Sequence, residues 1–219
     1  MDQNKDNPPL FGPKGEALAD GRISGNAAVR NGEAIFACIA PYVPNGGLAL
    51  ELASGTGQHI AELAVRHPDV EWQPSDVTDA RMPSINAWRK HVGAANLRPP
   101  VVLDAGGRWD LKDDPALIFV ANLFHVIPRD AALKVMLGAS QVLIDGGHFF
   151  IYGPFKVDGA FRGEGDARFD ASLKGKHSEV GLKDLEWMQA ELTKVGLEFC
   201  DLHEMPANNL VLVVRKTAG

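Results

Sequence analysis

A turn that contains two glycines follows a short apolar segment and could hold a cofactor against the backbone. The stretch from Leu48 to His59 reads Leu-Ala-Leu-Glu-Leu-Ala-Ser-Gly-Thr-Gly-Gln-His. Leu48 to Ala53 suits a strand buried on both faces, and Gln58 to Arg66 restarts at helical spacing. Gly55 and Gly57 carry no Cβ, so the backbone between strand and helix can approach a ligand closely. In doubly wound folds, loops of this kind bind ligands at the carboxyl edge of a parallel sheet.

Carboxylates are placed on or after the first three predicted strands, where they could contact the same ligand. Glu51 lies within the first strand, just before the glycine turn. Val70 to Ser75 is predicted as the second strand and ends at Asp76, about 20 residues beyond the turn, where a carboxylate can accept hydrogen bonds from both ribose hydroxyls. The short strand Val101 to Leu103 ends at Asp104, which we expect near the adenine edge.

The spacing of the glycine turn separates the cofactor classes that use this geometry. A dinucleotide fingerprint requires a small residue three positions after the second glycine, where this chain has Ile60. A phosphate-binding P-loop would need a Lys followed by Ser or Thr. Glu-x-Ala-Ser-Gly-Thr-Gly instead resembles the first motif of class I S-adenosylmethionine (SAM) methyltransferases, with Ala53 at the first of the three usual glycines. This resemblance implies that the backbone of residues 53–57 faces the methionine part of SAM, with Ser54 and Gln58 among the cofactor contacts.

Polar side chains also follow the fourth and fifth predicted strands. Leu117 to Ala121 runs into Asn122-Leu-Phe-His125, and His148 to Tyr152 ends in a tyrosine. We expect Asn122, His125 and Tyr152 to converge in front of a transferred methyl group. His125 is the natural base, because an unperturbed imidazole pKa of about 6.5 leaves it largely neutral at physiological pH. Tyr152 and Asn122 would then orient the acceptor or the cofactor.

The elements that position these residues alternate between strand and helix. This order predicts parallel strands with right-handed crossovers, followed by two adjacent strands close enough in sequence for an antiparallel pair. The predicted fold is α/β: a Rossmann-like class I methyltransferase fold with a seven-stranded, mostly parallel sheet, a terminal antiparallel hairpin and helices on both faces. Beyond the elements above, we predict helices at residues 26–42, 81–91, 130–143 and 183–195, and terminal strands at residues 197–203 and 208–215.

The distribution of Gly, Pro and charge predicts the domain organisation. Residues 1–24 contain several Pro and Gly residues among charges and are predicted to form a flexible leader. Residues 25–219 are predicted to form a single domain. A segment rich in Gly and charge, at about residues 153–181, is predicted to be an insertion or lid.

Composition narrows the partners of the protein. The 219 residues carry a formal net charge of -6, which argues against nucleic acid as a partner, because nucleic-acid binders present a basic face. No apolar run has the length of a membrane span, and the two cysteines have no metal-ligand spacing. We therefore predict a cytoplasmic monomer or homodimer that has no metal and acts on a small molecule.

Several unusual strings resemble one family over residues 26–216. The chain is similar to the methyltransferase-like protein 26 family, a group of SAM-dependent methyltransferase homologues known as a domain of unknown function. The resemblance implies that Arg30 and Asn31 contact the cofactor carboxylate or the acceptor, although Val29 stands where the family tends to have an acidic residue. The strings that carry it are Trp72-Gln-Pro-Ser-Asp76, Asn122-Leu-Phe-His125, Tyr152-Gly-Pro-Phe155, Phe169-Asp170 and Met205-Pro-Ala-Asn-Asn-Leu210.

The sequence thus predicts a SAM-dependent methyltransferase that transfers a methyl group to an O, S or N atom of a small-molecule acceptor. Two alternatives stay open. A NAD-dependent oxidoreductase could use the same turn and the same strand-end carboxylate for ribose. A protein of methyltransferase fold could also bind SAM or a partner without turnover, because fold and cofactor motif do not establish chemistry.

Overall fold

The computed structural model of the chain describes residues 15–218. They divide into two compact units, of which the first ends at Asp104 and the second begins at Ala105. Each unit contains its own part of the predicted alternation of strands and helices.

The first unit begins with a small hairpin, in which β1 pairs antiparallel with β2, and continues as a helix-and-strand alternation. Single turns of 3-10 helix at Ala40–Tyr42 and Asp79–Arg81 adjoin its first and third helices. The elements are β1 (Gly15–Ala17), β2 (Ile23–Gly25), α1 (Asn26–Ile39), β3 (Leu48–Leu52), α2 (Gln58–Arg66), β4 (Glu71–Asp76), α3 (Met82–Val92) and β5 (Val101–Val102).

Burial explains why these segments form. Every residue of β3 is buried, as a strand covered on both faces requires, and β4 lies parallel to it with Leu48 opposite Glu71. β5 extends the same parallel set from β4. Helix α2 buries Ile60, Ala61, Leu63 and Ala64 at helical spacing. Because β3, β4 and β5 are parallel, their carboxyl ends lie at the same edge of this set of strands.

The second unit contains two parallel strands that continue into an antiparallel pair. Its strand order is β6, β7, β10, β9, and the short β8 pairs parallel with β7. β6 and β7 are parallel, whereas β10 lies antiparallel to both β7 and β9. The elements are β6 (Leu117–Ala121), α4 (Arg129–Val142), β7 (His148–Lys156), α5 (Glu164–Lys174), β8 (Lys183–Asp184), α6 (Leu185–Lys194), β9 (Leu197–Glu204) and β10 (Asn209–Lys216), with a 3-10 turn at Phe124–Val126.

The predicted mixed α/β architecture, with mostly parallel strands and a terminal antiparallel hairpin, is confirmed. All seven predicted strands form, and among the described residues β1, β2 and the two-residue β8 are additional. Of the predicted leader, residues 1–14 lie outside the described residues, and residues 15–25 form the β1–β2 hairpin. The single domain from residue 25 onward stays a prediction.

The segment predicted as an insertion has regular structure of its own. Residues 153–156 continue β7, and helix α5 occupies Glu164–Lys174. A mobile lid stays a prediction for this segment. Within residues 15–218, no helix is both long and apolar enough to cross a membrane.

Candidate functional site

The turn after β3, which we call the glycine loop (residues 53–57), is built from left-handed backbone. Ala53, Gly55 and Gly57 have φ angles of 53°, 59° and 87°. Ser54 N–H donates to the Ser75 carbonyl at 2.7 Å, and Gly57 N–H donates to the Ser54 carbonyl at 2.9 Å. Ala53 pays the conformational cost that a glycine would avoid. The loop is therefore folded back on β4 and held by its own backbone.

Gly57 is fixed by its neighbour as well as by its φ angle. A Cβ added to Gly57 would lie 2.8 Å from the Cα of Ile85 on α3, closer than two non-bonded carbon atoms come. Ser84, also on α3, donates its hydroxyl to the Thr56 carbonyl at 2.8 Å. Helix α3 therefore supports the far side of the glycine loop, a contact that the sequence reasoning missed because it joins residues far apart in the chain.

Asp76 ends β4 and is bonded to the glycine loop. Gly55 N–H donates to Asp76 Oδ2 at 2.9 Å. Burial raises the pKa of this carboxyl above its ordinary value, while hydrogen bonds from the backbone of Gly55 and Thr78 and the charge of Arg81 oppose the rise. The carboxylate predicted to bind ribose thus also fixes the loop, and it keeps further lone pairs, since a carboxylate offers about four acceptor sites.

Glu51 is the most unusual group of this region. Its side chain is only 2% exposed, and its Oε2 atom is buried without a hydrogen-bond partner in the part of the chain that the structure describes. Burial raises the pKa of Glu51 to about 8, opposed by a hydrogen bond from Ser54 and reinforced by the charge of Asp76. A buried polar atom without a partner costs folding free energy, so its presence indicates a ligand or a functional constraint.

Two serines hold Glu51 and the glycine loop together, and neither the spacing nor the motif identified Ser75. Ser75 Oγ donates to the Glu51 carbonyl at 2.7 Å, and Ser75 N–H donates to Ser54 Oγ at 3.1 Å. Both serine side chains are buried. They fix the strand end from which the carboxylate of Glu51 projects.

The other predicted contacts in this unit differ in how far the structure buries them. Asn31 is buried on α1, and its Oδ1 lies 2.9 Å from His59 Nε2. Arg30 is exposed on α1, and Asp104 is exposed two residues beyond β5. Gln58 Oε1 accepts a hydrogen bond from Gly25 N–H at 3.1 Å, which ties α2 to the β2 strand.

In the second unit, three residues are predicted to act at the methyl acceptor, Asn122 directly after β6, His125 in the 3-10 turn that follows and Tyr152 within β7. Asn122 N–H donates to the Tyr152 carbonyl at 2.9 Å, and Asn122 has a left-handed φ of 61°. A Cβ on Gly153, the residue after Tyr152, would lie 3.8 Å from His125 Nδ1. The backbones of Asn122 and Tyr152 are therefore neighbours, and the His125 ring lies on the side of β7 to which a side chain at position 153 would point.

His125 is buried and packs against the helix of the insertion. Its ring centroid lies 5.3 Å from that of Phe169 on α5, edge to face, and its carbonyl accepts a hydrogen bond from Gly181 N–H at 3.0 Å. Burial, with a smaller contribution from the charge of Lys183, lowers the pKa of His125 to about 4. The imidazole is therefore neutral across the physiological range and can accept a hydrogen bond, but it is a weaker base than the imidazole of unperturbed pKa that the sequence led us to expect.

The chain has the fold of methyltransferases of known structure. It matches an O-methyltransferase family protein from Burkholderia thailandensis with a TM-score of 0.72 and 16% identity, over 89% of this chain and 58% of that one. It matches the mitomycin 7-O-methyltransferase MmcR with a TM-score of 0.75 and 11% identity, over 88% of this chain and 55% of that one. It also matches an O-methyltransferase family 2 protein from Planctomyces limnophilus, solved with apigenin. The TM-score is 0.70 and the identity 15%, over 85% of this chain and 62% of that one. The chain thus spans little more than half of each of these proteins.

Its family is defined by sequence. The chain belongs to the family described as protein of unknown function (DUF938), whose family model matches residues 22–216. The match covers every element from α1 to β10.

Proposed function

We propose that the chain is a SAM-dependent methyltransferase that transfers a methyl group to an O, S or N atom of a small-molecule acceptor. The observation that carries the proposal is Glu51, a buried carboxyl with one unpartnered oxygen directly before a left-handed glycine loop. The similarity to the methyltransferase-like protein 26 family and the methyltransferase fold support the same conclusion.

The residues of the first unit fit this cofactor. The ammonium of the methionine part of SAM would give Glu51 the charged partner that it lacks, since a buried carboxylate is stabilised by a paired cation. The left-handed backbone of residues 53–57 leaves room for close approach. Asp76 has acceptor capacity left for ribose hydroxyls, and we assign Asp104 to the adenine, with Arg30 and Asn31 near the carboxylate and Ser54 and Gln58 as further contacts.

When bound, SAM supplies a methyl group on a positively charged sulfur. The chain must hold the acceptor in line and remove a proton where the acceptor is a hydroxyl, thiol or amine. We assign proton removal to His125, which is neutral at physiological pH. We assign orientation of the acceptor or the cofactor to Asn122 and Tyr152, whose backbones are bonded to each other.

Calorimetric titration with SAM and with its demethylated product, S-adenosylhomocysteine, tests the proposal directly. We expect saturable binding of both, and weaker binding by Glu51→Gln, which removes the charge but keeps the shape. Absence of binding at millimolar concentration would overturn the proposal. Glu62→Gln on α2 is the matched control, because Glu62 is half-buried outside the glycine loop.

A NAD-dependent oxidoreductase remains the second candidate, favoured by the same Asp76. Ile60 argues against it, because a dinucleotide fingerprint requires a small residue at that position. A thermal-shift comparison of SAM with NADH separates the two, since the true ligand raises the unfolding midpoint through mass action. If SAM binds and no acceptor is ever methylated, a non-catalytic SAM-binding protein becomes the better description.

Charge and the named structural neighbours support a small-molecule acceptor. A net charge of -6 favours a small molecule over nucleic acid. The neighbours are O-methyltransferases, and one was solved with apigenin, so hydroxylated aromatic compounds are the first acceptors to test. Incubation of metabolite pools with isotopically labelled SAM extends the search. A labelled nucleic acid as the main product would contradict this acceptor class.

A further inference from the structure

A cavity in the second unit is lined by residues to which the function proposed above assigns no role. It has a volume of about 450 Å³ and lies beside the start of α4, the end of β7 and the segment before β8. Four of its lining side chains are cationic and two are acidic: Arg129, Lys156, Lys174 and Lys183, against Asp130 and Glu179. Both acidic residues are exposed, as are Arg129 and Lys174, so the cations that lie toward the interior are the half-buried Lys156 and the buried Lys183. We call this cavity the lysine pocket.

Lys183 is the buried cation of the lysine pocket, with only 4% of its surface exposed. Its Nζ donates to the carbonyls of Ile127 and Gly181, at 2.8 and 2.9 Å. An ammonium has three N–H donors, and carbonyls carry no net charge to neutralise it. One N–H donor is therefore left for another partner, and neither carbonyl neutralises the positive charge.

The remaining cations are only partly neutralised by the carboxylates that touch them. Asp184 lies 3.4 Å from Arg129 and 3.2 Å from Lys156, so one carboxylate serves two cations. Lys174 pairs with Asp170 at 2.7 Å. Arg129, Lys156 and Lys174 thus share two carboxylates at ion-pair distance.

Burial and the neighbouring cations both disfavour the charged form of Lys183. Burial, together with the charges of Arg129, Lys174 and Lys156, lowers the pKa of Lys183 to about 8, although Asp170 acts in the opposite direction. An anion between these side chains would relieve the repulsion and favour the charged form of each lysine.

We propose that the lysine pocket binds an oxyanion, the phosphate or carboxylate group of a small molecule, through Lys156, Lys174 and Lys183. Ammonium groups bind either oxyanion by charge-assisted hydrogen bonds. The site is joined to the loop that carries His125, because Gly181 donates to the His125 carbonyl and Lys183 to the Ile127 carbonyl. The proposal concerns binding alone and does not depend on methyl transfer.

Calorimetric titration of the whole chain with inorganic phosphate, pyrophosphate and citrate, at matched ionic strength, tests the proposal. We expect at least one of them to bind, and Lys156→Met and Lys174→Met each to weaken it about tenfold, the scale of one lost hydrogen bond to a charged group. Met keeps the apolar stem of each lysine. Lys134→Met is the matched control, because Lys134 is exposed on α4 and does not line the pocket.

Binding of phosphate or pyrophosphate alone would assign the site to a phosphoryl group, binding of citrate alone to a carboxylate, and binding of all three to oxyanions in general. Each of these results supports the proposal if the two lysine variants weaken binding and Lys134→Met does not. The proposal is overturned if none of the anions binds at millimolar concentration, or if the lysine variants bind as tightly as the unaltered chain. Lys183→Met, which removes a buried group, is a further test only if the variant folds.

Discussion

Gly55 N–H donates to the carboxylate of Asp76 at 2.9 Å, so the residue predicted to bind the ribose also fixes the shape of the glycine loop. Removal of this carboxylate therefore has two consequences, one for the loop and one for the cofactor. The bond joins the ends of two adjacent parallel strands, β3 and β4.

Asp76→Ala is expected to weaken SAM binding about tenfold or more and to destabilise the protein by about 1–3 kcal/mol, the cost of leaving a buried donor unpaired. Calorimetry gives the affinity, and urea unfolding gives the stability. Asp79→Ala is the control, because Asp79 is exposed three residues further along the chain. Equal losses of affinity in the two variants would contradict the assignment of Asp76 to the cofactor.

Gly57→Ala is expected to destabilise the protein more than Gly93→Ala. Both glycines have positive φ angles, of 87° and 64°, so alanine costs about 1–2 kcal/mol at either position. Only at Gly57 does the added Cβ meet backbone, 2.8 Å from the Ile85 Cα, whereas no atom lies within 4 Å at Gly93. Urea unfolding of both variants separates the cost of the positive φ angle, which both share, from the cost of the clash with Ile85, which only Gly57→Ala has. Equal stabilities would show that α3 yields to the extra carbon.

Glu51→Gln is expected to stabilise the ligand-free protein as the pH rises. The pKa of Glu51 is about 8 when folded, against an ordinary value of 4.5, so the native state holds a proton that the unfolded state releases. The contribution of Glu51 to stability is therefore complete below about pH 4.5 and is lost as the pH rises through 8, by up to about 1.4 kcal/mol per pH unit.

Thermal unfolding of Glu51→Gln and the unaltered chain across this pH range measures the effect. The midpoint difference should grow in favour of the variant between about pH 4.5 and 8 and then level off. In the same variant SAM affinity should fall, so stability and binding move in opposite directions. A midpoint difference that is independent of pH would mean that Glu51 titrates normally in the folded chain.

The strands and most helices could be predicted because buried positions are occupied by apolar residues, whose spacing is visible in the sequence. Leu117–Ala121 was predicted with its observed bounds, since a strand covered on both faces is continuously apolar. Helix α5 was missed because its buried face carries Asp166 and Asp170 beside Leu173, which removes the apolar periodicity that reveals a helix. The β1–β2 hairpin was missed because its residues looked like a flexible leader.

The candidate site was predictable in its residues but not in their contacts. The residue types around the turn identified Glu51, Gly55 and Asp76, yet no sequence pattern states that Gly55 bonds to Asp76. The burial of Lys183 was equally hidden, because lysine is rarely buried and its partners are backbone carbonyls of other segments. Long-range hydrogen bonds of this kind are set by packing, which a single sequence does not record.

Acidification is expected to destabilise the protein through two histidines. The pKa values of His59 and His125 are both lowered to about 4 by burial, so the unfolded state takes up protons below about pH 6.5 while the folded state does not. Their contribution to stability is therefore complete above about pH 6.5 and is lost as the pH falls through 4.

Urea unfolding between these pH values checks the expectation, with His59→Gln compared against His91→Gln. His91 is exposed and serves as the control, and His59→Gln should reduce the pH dependence relative to it. Glu51 acts in the opposite direction over part of this range, so the comparison is best made in the Glu51→Gln background. The same pH dependence in both histidine variants would argue against a buried neutral His59.

His125→Ala is expected to lower the methyl-transfer rate by roughly a hundredfold or more, the scale of a lost general base, while SAM affinity stays nearly unchanged. Because the pKa of His125 is about 4, the imidazole stays unprotonated over a wide range, and kcat should fall on the acid side only near that pH. The exposed His91→Ala is the control. Since the His125 ring also packs on Phe169, the unfolding midpoint of each variant must be measured alongside the rate. Unchanged turnover in a folded His125→Ala protein would exclude the base, as would an acceptor such as a thioether that has no proton to lose.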